Sequence, residues 1–161
     1  GMILLRPYAP EDLPEILGLF RASVHGLCGK DYTPEQLDAW APASLDEEAW
    51  GRSLASHFAL TAWEGDCLLG FADLEEPDYF DRLYVSPQAK GRGIGRLLAQ
   101  AIESRSRDLG AEVLTVHASE TARGFFLHRG YTLCHRQEVE RRGVLLHNYQ
   151  MQKTWRKECA L

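Results

Sequence analysis

The sequence lacks any run of about 18 apolar residues, so none of it reads as a membrane-spanning helix. It is poor in cysteine, with four residues at positions 28, 67, 134 and 159 and no C-x-x-C pair. That spacing argues against a disulfide framework or a zinc knot and reads as scattered thiols in a reducing compartment. Basic charge is not in excess either. Eighteen Lys and Arg against 23 Asp and Glu leave a net charge of −5, which disfavours a nucleic-acid binder with a broad basic face. Linkers, repeats and low-complexity tracts are missing as well. With 45% apolar and 25% charged residues over 161 positions, the chain reads as a single domain able to bury a core. Met2-Ile3-Leu4-Leu5 is too short an apolar stretch for a secretory signal and runs into Arg6-Pro7, so the expected location is cytoplasmic. Gly1, ahead of Met2, reads as the remnant of a cleaved tag, and the domain is expected over residues 2–161.

The mean charge hides an asymmetry. From Asp31 to Asp81 there are 13 acidic residues and one basic one, Arg52; from Arg82 to Arg107 there are six basic residues and one acidic one, Glu103. Either these are two solvated faces, or one wall of a site binds an anion while another attracts a cation. The hydrophobic pattern predicts the frame around them. A strand over 3–7 precedes a helix opened by Asp12, with Leu13, Ile16, Leu17, Phe20 and Val24 on one stripe. Thr33-Pro34-Glu35-Gln36 is a helix start, with a threonine cap and proline at the first helical position. A short helix is expected within 44–56. Strands over 58–63 and 67–74 are joined at Glu64-Gly65-Asp66, and another runs over 80–85 until Ser86-Pro87 stops it. A long helix over 93–109 carries Ile94, Leu97, Leu98, Ala101 and Ile102 on one stripe. A strand over 112–117, a helix over 120–128 and a hairpin turning at Arg142-Gly143 complete the chain.

Between the strand ending at Val85 and the long helix lies Lys90-Gly91-Arg92-Gly93-Ile94-Gly95-Arg96. Glycines let the backbone approach a ligand, and first-turn amides of a helix have no intrahelical partners, with the positive end of the dipole behind them. Three cations reinforce this, so a pyrophosphate is the natural guest. A dinucleotide fingerprint would need glycine or alanine where Arg96 stands, and a P-loop would need Gly-Lys-Ser/Thr, which the chain lacks.

At these residues the sequence resembles the GNAT superfamily of acyl-CoA-dependent N-acyltransferases. The family signature Gln/Arg-x-x-Gly-x-Gly/Ala is matched by Lys90-Gly91-Arg92-Gly93-Ile94-Gly95, with Lys90 in the Gln/Arg place. Leu83-Tyr84-Val85-Ser86-Pro87 looks like the family's fourth strand. Phe125-Phe126-x-x-x-Gly130-Tyr131 is similar to its C-terminal helix-to-strand element. Asp31-Tyr32-Thr33-Pro34-Glu35-Gln36-Leu37-x-x-Trp40, Ala118-Ser119-x-x-Ala122 and Asn148-Tyr149-x-Met151 resemble the YafP-like branch. The resemblance implies an α/β (α+β) fold: a mixed, mostly antiparallel sheet of about seven strands, helices on both faces, and fourth and fifth strands that splay.

It also implies an N-acetyltransferase that moves an acetyl group from acetyl-CoA to a primary amine by direct attack on the thioester, with no metal. The pantetheine would lie along Leu83, Tyr84 and Val85, and the pyrophosphate on Lys90, Gly91, Arg92, Gly93, Ile94, Gly95 and Arg96, with Ser119 and Phe126 also beside the cofactor. A protonated amine must lose a proton before it can attack, and Asp81, His117 and Glu75 are the candidate bases. The family often places a tyrosine where this chain has Phe126, so the leaving thiolate would take its proton from water or from Tyr79, Tyr84 or Tyr131. His25, Tyr32 and Trp40, with the acidic run, are expected to line the acceptor pocket. They favour a small cationic or aromatic amine over a peptide N-terminus. No nucleic-acid or membrane partner is implied; a homodimer through the C-terminal strands is common among look-alikes. The competing reading is a CoA-binding sensor without catalysis.

Overall fold

The computed structural model describes residues 1–155, so Cys159 lies outside the described residues. The chain runs β1 (Ile3–Pro7), α1 (Leu13–Leu27), α2 (Pro34–Trp40), α3 (Glu47–Ser56), β2 (Phe58–Glu64), β3 (Cys67–Glu75), β4 (Tyr79–Val85), α4 (Ile94–Asp108), β5 (Val113–Ala118), α5 (Glu120–His128), β6 (Thr132–Arg141) and β7 (Val144–Thr154). Short 3-10 turns at Pro10–Asp12 and Pro87–Ala89 lead into α1 and the glycine loop. Helix starts follow local chemistry. The Thr33 hydroxyl accepts from the Gln36 amide while the Gln36 side chain accepts from the Thr33 amide, a reciprocal capping box. Asp46 caps α3 through the Ala49 amide, and Ser119 caps α5 through the Ala122 amide. None of the described helices is long and apolar enough to cross a membrane.

The seven strands form one sheet in the order β1-β2-β3-β4-β5-β7-β6. Every neighbouring pair is antiparallel except β4 and β5. These two run parallel and pair only at Tyr79 with Thr115 and Phe80 with Val116. Beyond Phe80 they part, so the expected splay is present; the residues from Arg82 to Val85 keep β3 alone as a neighbour, and Asp81 stands at a bulge in that pairing. Each sheet face carries its own core. On one, Ile94, Leu98 and Ile102 of α4 and Phe126 of α5 pack on Leu74, Phe80, Leu114 and Met151. On the other, Ile16, Phe20 and Val24 of α1, Leu37 of α2 and Leu54 of α3 cover Ala59, Trp63, Leu68 and Phe71. Gly70 is where α4 comes closest to the sheet. A Cβ there would stand 2.9 Å from the Tyr84 carbonyl oxygen, 3.0 Å from Ile94 and 3.1 Å from Leu98, so only glycine lets β3, β4 and the start of α4 meet.

Candidate active site

The gap between β4 and β5 continues into a cavity of about 520 Å³. β4 supplies Asp81, Leu83 and Tyr84; the end of β5 and the head of α5 supply His117, Ser119, Ala122 and Phe126. Phe20, Tyr32, Trp40 and Trp50 come from the helical layer, and Arg141, Leu146, His147 and Asn148 from the β6–β7 hairpin. The Ser86 amide donates to Leu69 of β3. By strand alternation, Leu83 and Val85 therefore turn their backbone groups towards the gap.

The glycine loop lies at the head of α4, directly after β4. Gly91 and Gly93 have φ of 81° and 79°, left-handed conformations that a side chain disfavours. The first intrahelical bond runs from the Leu97 amide to the Gly93 carbonyl, so the amides of Ile94, Gly95 and Arg96 precede it and have no helical acceptor. A Cβ on Gly95 would touch the Phe125 ring at 3.4 Å, which fixes the loop against α5. Lys90 and Arg96 have no ion-pair partner among the described residues. Arg92 differs: its guanidinium grips Glu64 at 2.6 and 3.1 Å. The Arg92 guanidinium, and after it the chain's amino terminus, hold Glu64 down to about 2.

Asp81 and His117, the first positions past the last β4–β5 pair, both line the cavity. His117 Nδ1 lies 3.3 Å from the Tyr79 hydroxyl, and Nε2 has no hydrogen-bond partner among the described residues. Burial, reinforced by His135, lowers the His117 pKa, while Asp81 pulls it the other way. Asp81 rests on a cluster that sequence reading missed. His57 Nδ1 is 2.8 Å from Asp73 and 3.6 Å from Asp81. Arg82 lies 3.2 Å from each carboxylate, donates to Ser53, and stacks over Trp50 at 4.7 Å. Oxygen and nitrogen atoms of His57, Asp73 and Asp81 lie within 4.8 Å of one another. Arg82 and His57 each approach both carboxylates, which suits an ion-pair cluster better than a cation site.

Several expected site residues stand elsewhere. Glu75 is exposed and sits opposite Tyr79, at the closed end of β4; it does not line the cavity. Nor does His25, whose Nε2 meets the Ala41 carbonyl oxygen at 2.8 Å and ties the last turn of α1 to the end of α2. Of the acidic run, Asp81 alone reaches the cavity wall. Tyr32 and Trp40 do line it. The Tyr32 hydroxyl donates to the His147 carbonyl and accepts from the Glu120 amide, and the Trp40 indole nitrogen donates to Tyr84 at 3.3 Å. Among the tyrosines weighed as proton donors, Tyr131 is buried and donates to Glu103 at 2.8 Å, so its hydroxyl is committed. Tyr79 stays at the gap, its pKa pushed up by burial to about 12. Phe126 is buried in an edge-to-face cluster with Phe80, Phe125 and Tyr131.

Residues 28–153 match the family of the acetyltransferase (GNAT) domain. The N-acetyltransferase YafP of Escherichia coli (strain K12) is 34% identical over 150 residues, spanning 92% of this chain and 94% of that protein. The chain belongs to the GNAT acetyltransferases. The crystal structure of a GCN5-related N-acetyltransferase from Rhodopseudomonas palustris superposes on this acetyltransferase with a TM-score of 0.93 at 39% identity, covering 96% and 97% of the two chains. The PaiA N-acetyltransferase of Thermoplasma acidophilum, solved in complex with coenzyme A, shares the fold at 17% identity, with a TM-score of 0.75 over 96% of this chain and 100% of that one. The splayed pair and the glycine loop are thus features of an acetyltransferase of this family.

Proposed function

We propose that this acetyltransferase moves the acetyl group of acetyl-CoA to a small primary amine by direct attack. The observation that carries the reading is the conjunction of three features: the open edge of β4, the amide-rich head of α4 that follows it, and the cavity that β4 shares with His117. The PaiA structure, with coenzyme A bound, supports the same cofactor here. Leu83 and Val85 would hold the pantetheine by backbone hydrogen bonds, the Val85 amide polarising the thioester carbonyl. The amides from Gly93 to Arg96, with Lys90, Arg96 and the shared Arg92, would hold the pyrophosphate.

His117 suits the base better than Asp81. Its lowered pKa keeps the imidazole neutral at pH 7, ready to accept through Nε2. Asp81 is occupied by Arg82 and serves as the negative charge that steadies the imidazolium. The departing thiolate needs little help, since a free thiol has a pKa of about 8.5; Tyr79 offers a hydroxyl at the gap, 3.3 Å from His117. A cavity of this size, walled by aromatic rings, fits a small acceptor rather than a polypeptide. Incubation with acetyl-CoA and a panel of primary amines, read by free-thiol release, tests the reading. Amine-dependent release is the expected result. Binding of acetyl-CoA with no release from any amine would point instead to a non-catalytic sensor, the reading that Phe126 favours.

A further inference from the structure

The charge facing the cavity is opposite to that of the acidic segment from Asp31 to Asp81, although that segment supplies part of its wall. Asp81 is the one carboxylate on the wall among the described residues, and it is shared between Arg82 and His57 at 3.2 and 3.6 Å. Arg82 is spent in turn on Asp73, Ser53 and the Trp50 ring. Arg141, at the end of β6, is different. Its guanidinium makes a 3.5 Å approach to the Glu140 backbone oxygen and no ion pair among the described residues. It lines the same cavity as Asp81 and His117, and its charge acts on Tyr79. Asn148, on the same hairpin, lines the cavity with its Oδ1 buried and without a hydrogen-bond partner. A purely cationic amine would therefore meet one carboxylate already shared with two cationic partners and one guanidinium that repels it.

We propose that the acceptor is a zwitterion of the α-amino-acid class with an apolar or aromatic side chain, its carboxylate held by Arg141 and its amine presented to His117. The inference rests on the acetyl-transfer reading above and names the acceptor class for that same site. A planar guanidinium binds a carboxylate through two parallel hydrogen bonds, and the rings of Trp40, Trp50 and Phe20 receive the side chain. In the reaction, the amine nitrogen bonds to the thioester carbonyl carbon and the carbon–sulfur bond breaks. The ammonium gives one proton to His117 before the attack. The second proton leaves the nitrogen as the intermediate collapses and passes through water to the thiolate, giving the N-acetylamino acid, free CoA and one proton that His117 returns to solvent.

The test compares L-phenylalanine with 2-phenylethylamine, and L-leucine with 3-methylbutylamine, as acceptors for the full chain. Kinetics are read by thiol release in wild type, Arg141→Gln and Arg141→Lys. Because each pair meets the same enzyme, the change in the amino-acid-to-amine ratio between variants isolates the carboxylate contact. In wild type the amino acids are preferred in kcat/KM. Arg141→Gln lowers the ratio about tenfold or more, a loss of roughly 1.4 kcal/mol, mainly through KM for the amino acid, and Arg141→Lys restores part of it. Amine-dependent release with the ratio unmoved by Arg141→Gln, or with decarboxylated amines preferred by wild type, overturns this acceptor class while leaving acetyl transfer standing. Absence of release from every acceptor overturns both.

Discussion

His117 and Asp81 occupy equivalent positions on the two diverging strands, yet the residues around them give them different chemistry. An imidazole whose protonation is disfavoured by burial accepts a proton only when a substrate delivers it; a carboxylate clamped by Arg82 is held for charge. Substituting His117→Gln should cost about 10²–10⁴ in kcat/KM near neutral pH, the usual cost of removing a general base. The deficit should narrow as pH rises towards the amine's own pKa, because deprotonated substrate then arrives ready to react. A pH–rate profile that keeps its shape in His117→Gln while Asp81→Asn changes it would move the base to Asp81. Beneath them, the hydrogen bond to Asp73 is the largest influence on His57 and raises its pKa above 6.5, against the lowering effect of burial. A raised pKa means that the folded state holds the proton more tightly than the unfolded chain. The stabilisation is full below about pH 6.5 and is lost as pH rises through the folded-state value. Urea midpoints for wild type and His57→Gln should therefore converge as pH is raised from mildly acidic to alkaline; a gap that widened instead would contradict the charged His57–Asp73 pair.

Among the elements, β4 does most to shape the site, and its position depends on β3. The Tyr84 carbonyl, Ile94 and Leu98 crowd the space above Gly70. Gly70→Ala should cost about 1–3 kcal/mol of stability, as overpacked cores do, and should weaken acetyl-CoA binding, because the open edge of β4 and the head of α4 shift together. Unchanged urea stability would show that this close approach is not tight in solution. The role of Gly70 was not legible in the chain, because a glycine in a strand gives no sign of what packs above it. The glycine loop was legible, because its chemistry is local: a strand end, three alternate glycines and a helix stripe are contiguous in sequence. The α5 boundaries at Glu120 and His128 were equally plain, with Gly130 as the stop; the Ser119 cap became visible only in the structure. The contribution of the β6–β7 hairpin to the cavity was hidden. Arg141 and Asn148 reach it only because β7 lies beside β5 in the sheet, a long-range pairing that alternation along the chain does not encode.

Across the whole molecule, the charge asymmetry read from the sequence is present, but much of it is consumed internally. Glu64 clamps Arg92, Glu76 holds Arg105 at 2.6 Å, and Glu103 binds Arg129, Tyr131 and Lys153 beneath α4. This is why the acidic run does not make an acidic pocket: its members are spread over helices and strand ends, and pairing follows the fold rather than the order of residues. What is left uncommitted is Lys90, Arg96 and the free amides at the head of α4, and a gap that opens beside β4. The account stands on these being the two ends of one acetyl-CoA site. Titration calorimetry of acetyl-CoA into wild type and Gly93→Asp tests that most directly, with circular dichroism showing that the variant is folded. The account predicts micromolar to millimolar affinity in wild type and none in Gly93→Asp, where a carboxylate would fill and repel from the phosphate cradle. Equal affinity in the two proteins would contradict it.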